Sequence, residues 1–123
     1  MTNESRGEVD VVLDGKTWTM RPDFQTLRAI EHKAGMSALK LIRVIGEGAA
    51  SLDQLVTVLE LGLKAANDDA PGFDQIGEMV VRQGVSDLLP PILVFLGSVA
   101  VGDKAKNLLA PRGKAKRKSP GGA

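Results

Sequence analysis

Between Glu8 and Arg21 apolar and polar residues alternate about a central Asp14-Gly15. An Asp-Gly pair between two alternating runs predicts a hairpin closed by a two-residue type I′ turn. That turn sets the register on paper: Leu13 opposite Lys16, Val11 opposite Trp18, Val9 opposite Met20. Strand side chains alternate with period two, so Val9, Val11, Leu13, Trp18 and Met20 share one face. Glu8, Asp10, Val12, Thr17, Thr19 and Arg21 take the other. A lone two-stranded hairpin is marginal in water, so its apolar face needs helices to cover it.

The rest of the chain reads as helical. Pro22 biases Arg21 toward extended geometry, and Asp23 is placed to cap a first helix over about 23–34. Phe24, Leu27, Ile30 and Ala34 fall along one side of it, and Gly35 is its stop. A second helix is predicted over about 37–45, with Met36, Leu39, Ile42 and Ile45 as its stripe and Leu41 and Val44 widening it. Gly46-Glu47-Gly48 ends it. Ser51 three residues before Gln54 is a capping box for a third helix over about 52–66. Leu52, Leu55, Val56, Leu59, Leu63 and Ala66 form its broad apolar side. Gly62 inside it costs roughly 1 kcal/mol of helix propensity relative to alanine. A close crossing of another helix there would account for that.

A turn cluster, Asn67 to Gly72, leads to a short fourth helix over about 74–83, using Phe73, Ile76, Met79 and Val80 and closed by Gly84. A fifth helix is expected over about 87–101. Ser86 can cap it, but Pro90-Pro91 leaves two options: a kink there, or a true start near Leu89. The predicted class is α+β, a hairpin packed on a small bundle of four to five short helices. The domain is expected at 8–101, between a loose polar start (1–7) and a tail (102–123) without periodicity, expected to be disordered.

Composition narrows the chemistry. At 123 residues there is room for one modest core. No cysteine and a single histidine, His32, rule out thiolate chemistry and a zinc site of the usual histidine and cysteine kind. Charge is unevenly shared. From Gly102 onward there are seven basic residues and one acidic, which leaves nine basic and fourteen acidic before it. The opening Met1 to Arg6 has no apolar run of a signal peptide, so a cytoplasmic protein is expected. The most apolar stretch, Leu88 to Val101, falls short of the ~20 residues that span a bilayer and reads as a buried or partner-covered helix.

No reaction emerges from the motifs. His32 lies between Glu31 and Lys33, off the Ile30 stripe, and reads as a surface histidine. Asp68, Asp69 and Asp74 lack the ligand spacing of a calcium loop. Gly46 to Ser51 is glycine-rich, but it has no lysine and follows a helix, so it is no phosphate loop. No serine, histidine and acid stand in a recognisable order. The expectation is a non-enzyme without cofactor or metal. The candidate partner-binding face is the fifth helix, with Leu89, Ile92, Leu93 and Leu96; the free hairpin edge is its rival. Lys114, Lys116, Arg117 and Lys118 are the candidate polyanion contacts. The tail reads first as a solubilising end, then as a grip on an acidic partner surface, then as a nucleic-acid contact.

The segments Arg6-Gly7-Glu8-Val9, Leu13-Asp14-Gly15-Lys16, and Met20 to Phe24 with Leu27 and Ala29-Ile30-Glu31 resemble the small tail proteins of gene transfer agents and related tailed phages. Leu52-Asp53-Gln54-Leu55, Gly62-Leu63, and Ile76-Gly77-Glu78 continuing to Gly84 fit the same layout. These proteins are classed with phage tail assembly chaperones and sometimes labelled tail tube protein of gene transfer agents. The resemblance covers about residues 6–101. It implies a non-enzymatic chaperone that binds the helical tape-measure protein and keeps it soluble while tube subunits polymerise. The implied place is the cytoplasm of a bacterial host, with the protein absent from the mature particle. Further candidate partners are the tail tube protein and a second copy of the chain. The alternatives are a tail tube or tail-completion component retained in the particle, and a nucleic-acid accessory protein acting through the basic tail. The chain is short for a tube subunit and has one convincing hairpin, which favours the chaperone.

Overall fold

A computed structural model describes residues 7–102. Two strands and five helices follow one another: β1 (Val9–Leu13), β2 (Lys16–Met20), α1 (Phe24–Ala34), α2 (Ala38–Gly46), α3 (Leu52–Ala66), α4 (Phe73–Gln83) and α5 (Leu89–Val101). The class is α+β, as the patterning predicts.

The hairpin has the predicted register, with Val9 opposite Met20, Val11 opposite Trp18 and Leu13 opposite Lys16. Both turn residues have positive φ, 54° at Asp14 and 81° at Gly15, as a type I′ turn requires. Its apolar face is wholly buried. Lys16 completes the cover by lying over the Trp18 ring, 4.1 Å from its centroid.

Both hairpin edges are engaged by side-chain amides. Gln83 at the end of α4 donates Nε2–H to the Val12 carbonyl (3.1 Å) and accepts the Asp14 N–H on Oε1 (2.8 Å). On the β2 side, Asn67 donates from Nδ2 to the Thr19 carbonyl at 2.7 Å and to the Leu63 carbonyl at 2.9 Å. At the hairpin base the Arg21 N–H donates to the Gly62 carbonyl (3.1 Å). Its guanidinium reaches buried Glu8 (2.8 Å) and the Ala65 carbonyl (2.8 Å).

The central helix is α3, packed by α1, α4, α5 and β2. Leu55, Val56, Thr57, Val58 and Leu59 are buried in succession, so α3 is enclosed nearly all round rather than along one stripe. The Ser51–Gln54 capping box forms, with both reciprocal bonds present. Gly62 is the closest approach. A Cβ there would lie 3.1 Å from Met20 Sδ and 3.1 Å from Phe95 Cζ. The crossing expected at Gly62 is thus a three-way meeting of α3 with the end of the hairpin and the middle of α5.

Caps explain the other helix ends. Asp23 Oδ1 accepts the Thr26 N–H at 2.9 Å, and Gly35 ends α1 in the left-handed region at φ 74°. Ser37 caps α2 through Lys40, so the helix proper starts one residue later than predicted. Glu31 of α1 accepts the Ala38 N–H at 2.8 Å, which ties the two helices together.

The double proline does not kink α5. Leu88 is the N-cap, Pro90 and Pro91 lie in the first turn, and the Ile92 N–H is bonded to the Leu88 carbonyl at 3.1 Å. The first-turn N–H groups have no intrahelical acceptor, so both prolines sit where no bond is lost.

Three stripe residues lie outside the core. Phe24 is 70% exposed, Leu39 56% and Leu52 52%. Phe24 instead stacks with Arg28, whose guanidinium carbon is 5.5 Å from the ring centroid. In α2 the buried residues are Ala38, Leu41 and Ile45. This helix is apolar on most sides, and the face turned inward is the one that meets α5.

Candidate partner-binding surface

Two of the six large apolar residues that stand exposed among the described residues, Leu52 and Val81, line the same cleft. Leu52 and Val56 are one turn apart on α3; Phe73, Gly77 and Val81 repeat every four residues on α4. Residues four apart share a helix face, so each helix presents a strip, and the strips face each other. Together they line an open cleft of about 490 Å³ whose remaining lining residues are Asp53, Asp74 and Glu78. Val81 is 69% exposed, a large apolar side chain left in water at the edge of the cleft.

Gly77 keeps the floor of the cleft low. A Cβ there would meet nothing within 4 Å. Phe73 closes one end, held from behind by Lys33, whose Nζ is 4.2 Å from the ring centroid and 2.8 Å from Glu60 Oε1. The rim is acidic and no cation lines it. Asp53 and Asp74 stand in the first turns of α3 and α4, where a carboxylate is favoured by the helix dipole. Glu78 has no such reason. None of the three forms an ion pair among the described residues. The arrangement can bury an apolar side chain and attract cations around it. It holds no nucleophile paired with a base.

The four α5 residues singled out from sequence do not form one surface. Ile92 and Leu96 have no exposed area and belong to the core with Phe95. Leu89 and Leu93, one turn apart on the adjoining side, are half-buried. Leu89 lines a recess of about 100 Å³ with Ile45, Gly48, Ala50, Leu55 and Val85. In this fold only Leu89 and Leu93 have area to offer a partner. The rival edge of the hairpin is already occupied at Val12 and Asp14 by Gln83.

The other candidates are quickly placed. His32 is exposed, as are Asp68 and Asp69. Among the described residues no cluster of three or more histidine, cysteine, aspartate or glutamate side chains could hold a metal ion. No helix among them is long and apolar enough to cross a membrane. Lys114, Lys116, Arg117 and Lys118, and the tail as a whole, lie outside the described residues.

Sequence reasoning missed the cleft because Gly77 interrupts the second stripe of α4. Phe73 reads as part of the core stripe with Ile76 and Val80, although it belongs equally to the strip with Val81. The available signal was Val81 itself, a large apolar residue left over from the core pattern.

Comparison with known proteins gives one family. The family model described as phage tail tube protein, GTA-gp10, matches residues 6–102. No curated protein and no solved structure matches. The matched segment takes in the hairpin, all five helices and the whole cleft, so the chain belongs to this tail-assembly-chaperone and gene-transfer-agent-like tail tube family, whose role in building phage-like tails is non-enzymatic.

Proposed function

We propose that this protein is a tail assembly chaperone that binds apolar helical segments of the tape-measure protein and keeps them soluble until the tube forms around them. The observation that carries this reading is the α3–α4 cleft, where Leu52 and Val81 stand exposed beside Val56 and half-buried Phe73. A helix laid along this cleft would bury its own apolar stripe against these four residues. Each side chain removed from water contributes on the order of 1–2 kcal/mol before the cost of association. That supports a hold that is reversible, as a client handed on to the tube requires. Leu89 and Leu93 offer a second, smaller strip on α5.

Co-expression with the tape-measure protein tests this. Leu52→Asp and Val81→Asp alter exposed positions and should leave stability within about 0.5 kcal/mol of the parent. They should abolish co-purification of the tape-measure protein. Leu93→Asp, tested beside them, reports the α5 strip. Undiminished co-purification by all three variants would refute the assignment.

A second reading has one observation in its favour, the description of the family as a tail tube protein. On that reading the chain stays in the particle as a tube or tail-completion component. The described residues contain one two-stranded sheet, with both edges engaged by Gln83 and Asn67, which favours the chaperone. Quantifying the protein in purified particles separates the two: the chaperone is absent, a component is present at fixed stoichiometry.

A further inference from the structure

The cleft has a second candidate occupant in the chain itself. Beyond Gly102 the sequence runs Asp103-Lys104-Ala105-Lys106-Asn107-Leu108-Leu109-Ala110-Pro111-Arg112-Gly113-Lys114. Two adjacent leucines are flanked by lysines on one side and by Arg112 and Lys114 on the other. This is the chemical complement of the cleft, an apolar floor of Leu52, Val56, Phe73 and Val81 between Asp53, Asp74 and Glu78. We propose that the α3–α4 cleft is the docking site of this chain's own segment 104–114, with Leu108-Leu109 in the apolar channel and the flanking cations on the three carboxylates.

Charge favours this recess over its neighbours. The recess beside α1 is lined by Lys33 as well as Asp53, and the one between α1 and the end of α3 by Lys64. The α2–α5 recess carries no charged residue. A basic segment therefore meets mixed charge, like charge or none at those sites and only opposite charge at the cleft. The whole molecule has the same polarity, with nine basic and fourteen acidic residues before Gly102 and seven basic and one acidic from it onward.

The reach is sufficient. Leu89 of α5 lines a recess with Leu55 of α3, and further along Phe95 meets Gly62. The two helices therefore run in the same direction, and Gly102 lies toward the C-terminal end of α3. Gly102 is seven residues past Phe95, so it stands about three residues beyond the level of Ala66, and from there back to Val56 is about 20 Å along the helix axis. From Gly102 to Leu109 the chain spans up to about 24 Å when extended. An extended run therefore brings the leucine pair to the near end of the floor, and Arg112 and Lys114 carry on toward the far rim.

This inference does not rest on the tape-measure reading, since the cleft can hold the segment whatever else it binds. The chain has no cysteine, so Asn107→Cys in the full-length protein supplies a single thiol for a spin label. Docking predicts selective broadening of the Phe73, Gly77 and Val81 amide signals. The broadening should be lost in about 0.5 M salt, which screens exposed charges, and lost in the Asp74→Lys/Glu78→Lys background. A mixture of labelled, unenriched chain with unlabelled, isotope-enriched chain reports contact between copies. Broadening confined to the singly labelled, enriched chain establishes docking within one molecule. Equal broadening in the mixture assigns the cleft to a second copy's tail and overturns the proposal. Broadening absent from the cleft, or spread evenly over the surface, also overturns it. Loss of tape-measure co-purification in Leu52→Asp or Val81→Asp with no broadening would leave the client reading standing alone.

Discussion

Two glycines on neighbouring helices divide this molecule. At Gly62 of α3 the space a Cβ would take is already claimed by Met20 and Phe95, each 3.1 Å away. At Gly77 of α4 the same position opens on nothing within 4 Å. Both residues reduce helix propensity by a similar amount. At Gly62 the return is packing, since the hairpin and α5 close on the central helix there. At Gly77 no contact repays the cost, and what remains is a shallow channel. A residue that weakens its own helix without packing against the core leaves open room in the surface beside it.

Substitutions at the two places should differ in size and sign. Phe95→Ala removes the largest fully buried side chain from the Gly62 meeting point and should cost about 3–5 kcal/mol, read as a fall in the urea midpoint at unchanged slope. A cost below about 1 kcal/mol would mean that the meeting point is loosely packed. Gly62→Leu overfills the same place and should cost about 1–3 kcal/mol. Its Met20→Ala partner variant should recover part of this, because Met20 supplies two of the three closest atoms. Gly77→Ala should act the other way. With open space and a helical backbone it should stabilise by about 0.5–1 kcal/mol. If it destabilises, the floor of the cleft is not open, and the contrast between the two glycines fails.

How much of this could be read from residues alone follows the range of the forces involved. The hairpin was fully legible, down to Val9 opposite Met20, because Asp14-Gly15 fixes the turn and the turn fixes the register. Asp23, Gly35 and the Ser51–Gln54 pair were legible for the same reason: a cap is settled within four residues. The choice of buried face on α2 was not. Ala38, Leu39, Leu41, Ile42, Val44 and Ile45 cover most of its circumference, so periodicity cannot decide which side α5 will meet. The same holds for α5, where Leu89, Ile92, Leu93 and Leu96 read as one stripe but divide into core and rim. The cleft depends on how α3 and α4 come to lie together, and its parts, Leu52 and Val81, 29 positions apart in sequence, carried no local signal that they belonged to one place.

The amide of Gln83 has a consequence for the molecule's behaviour in a crowd. A stray strand arriving at β1 would find Val12 and Asp14 already bonded, and would have to break both bonds before adding its own. Crowding many copies together therefore gives no growing ribbon from this hairpin. The protein can be made in quantity without this edge of its own sheet acting as a seed.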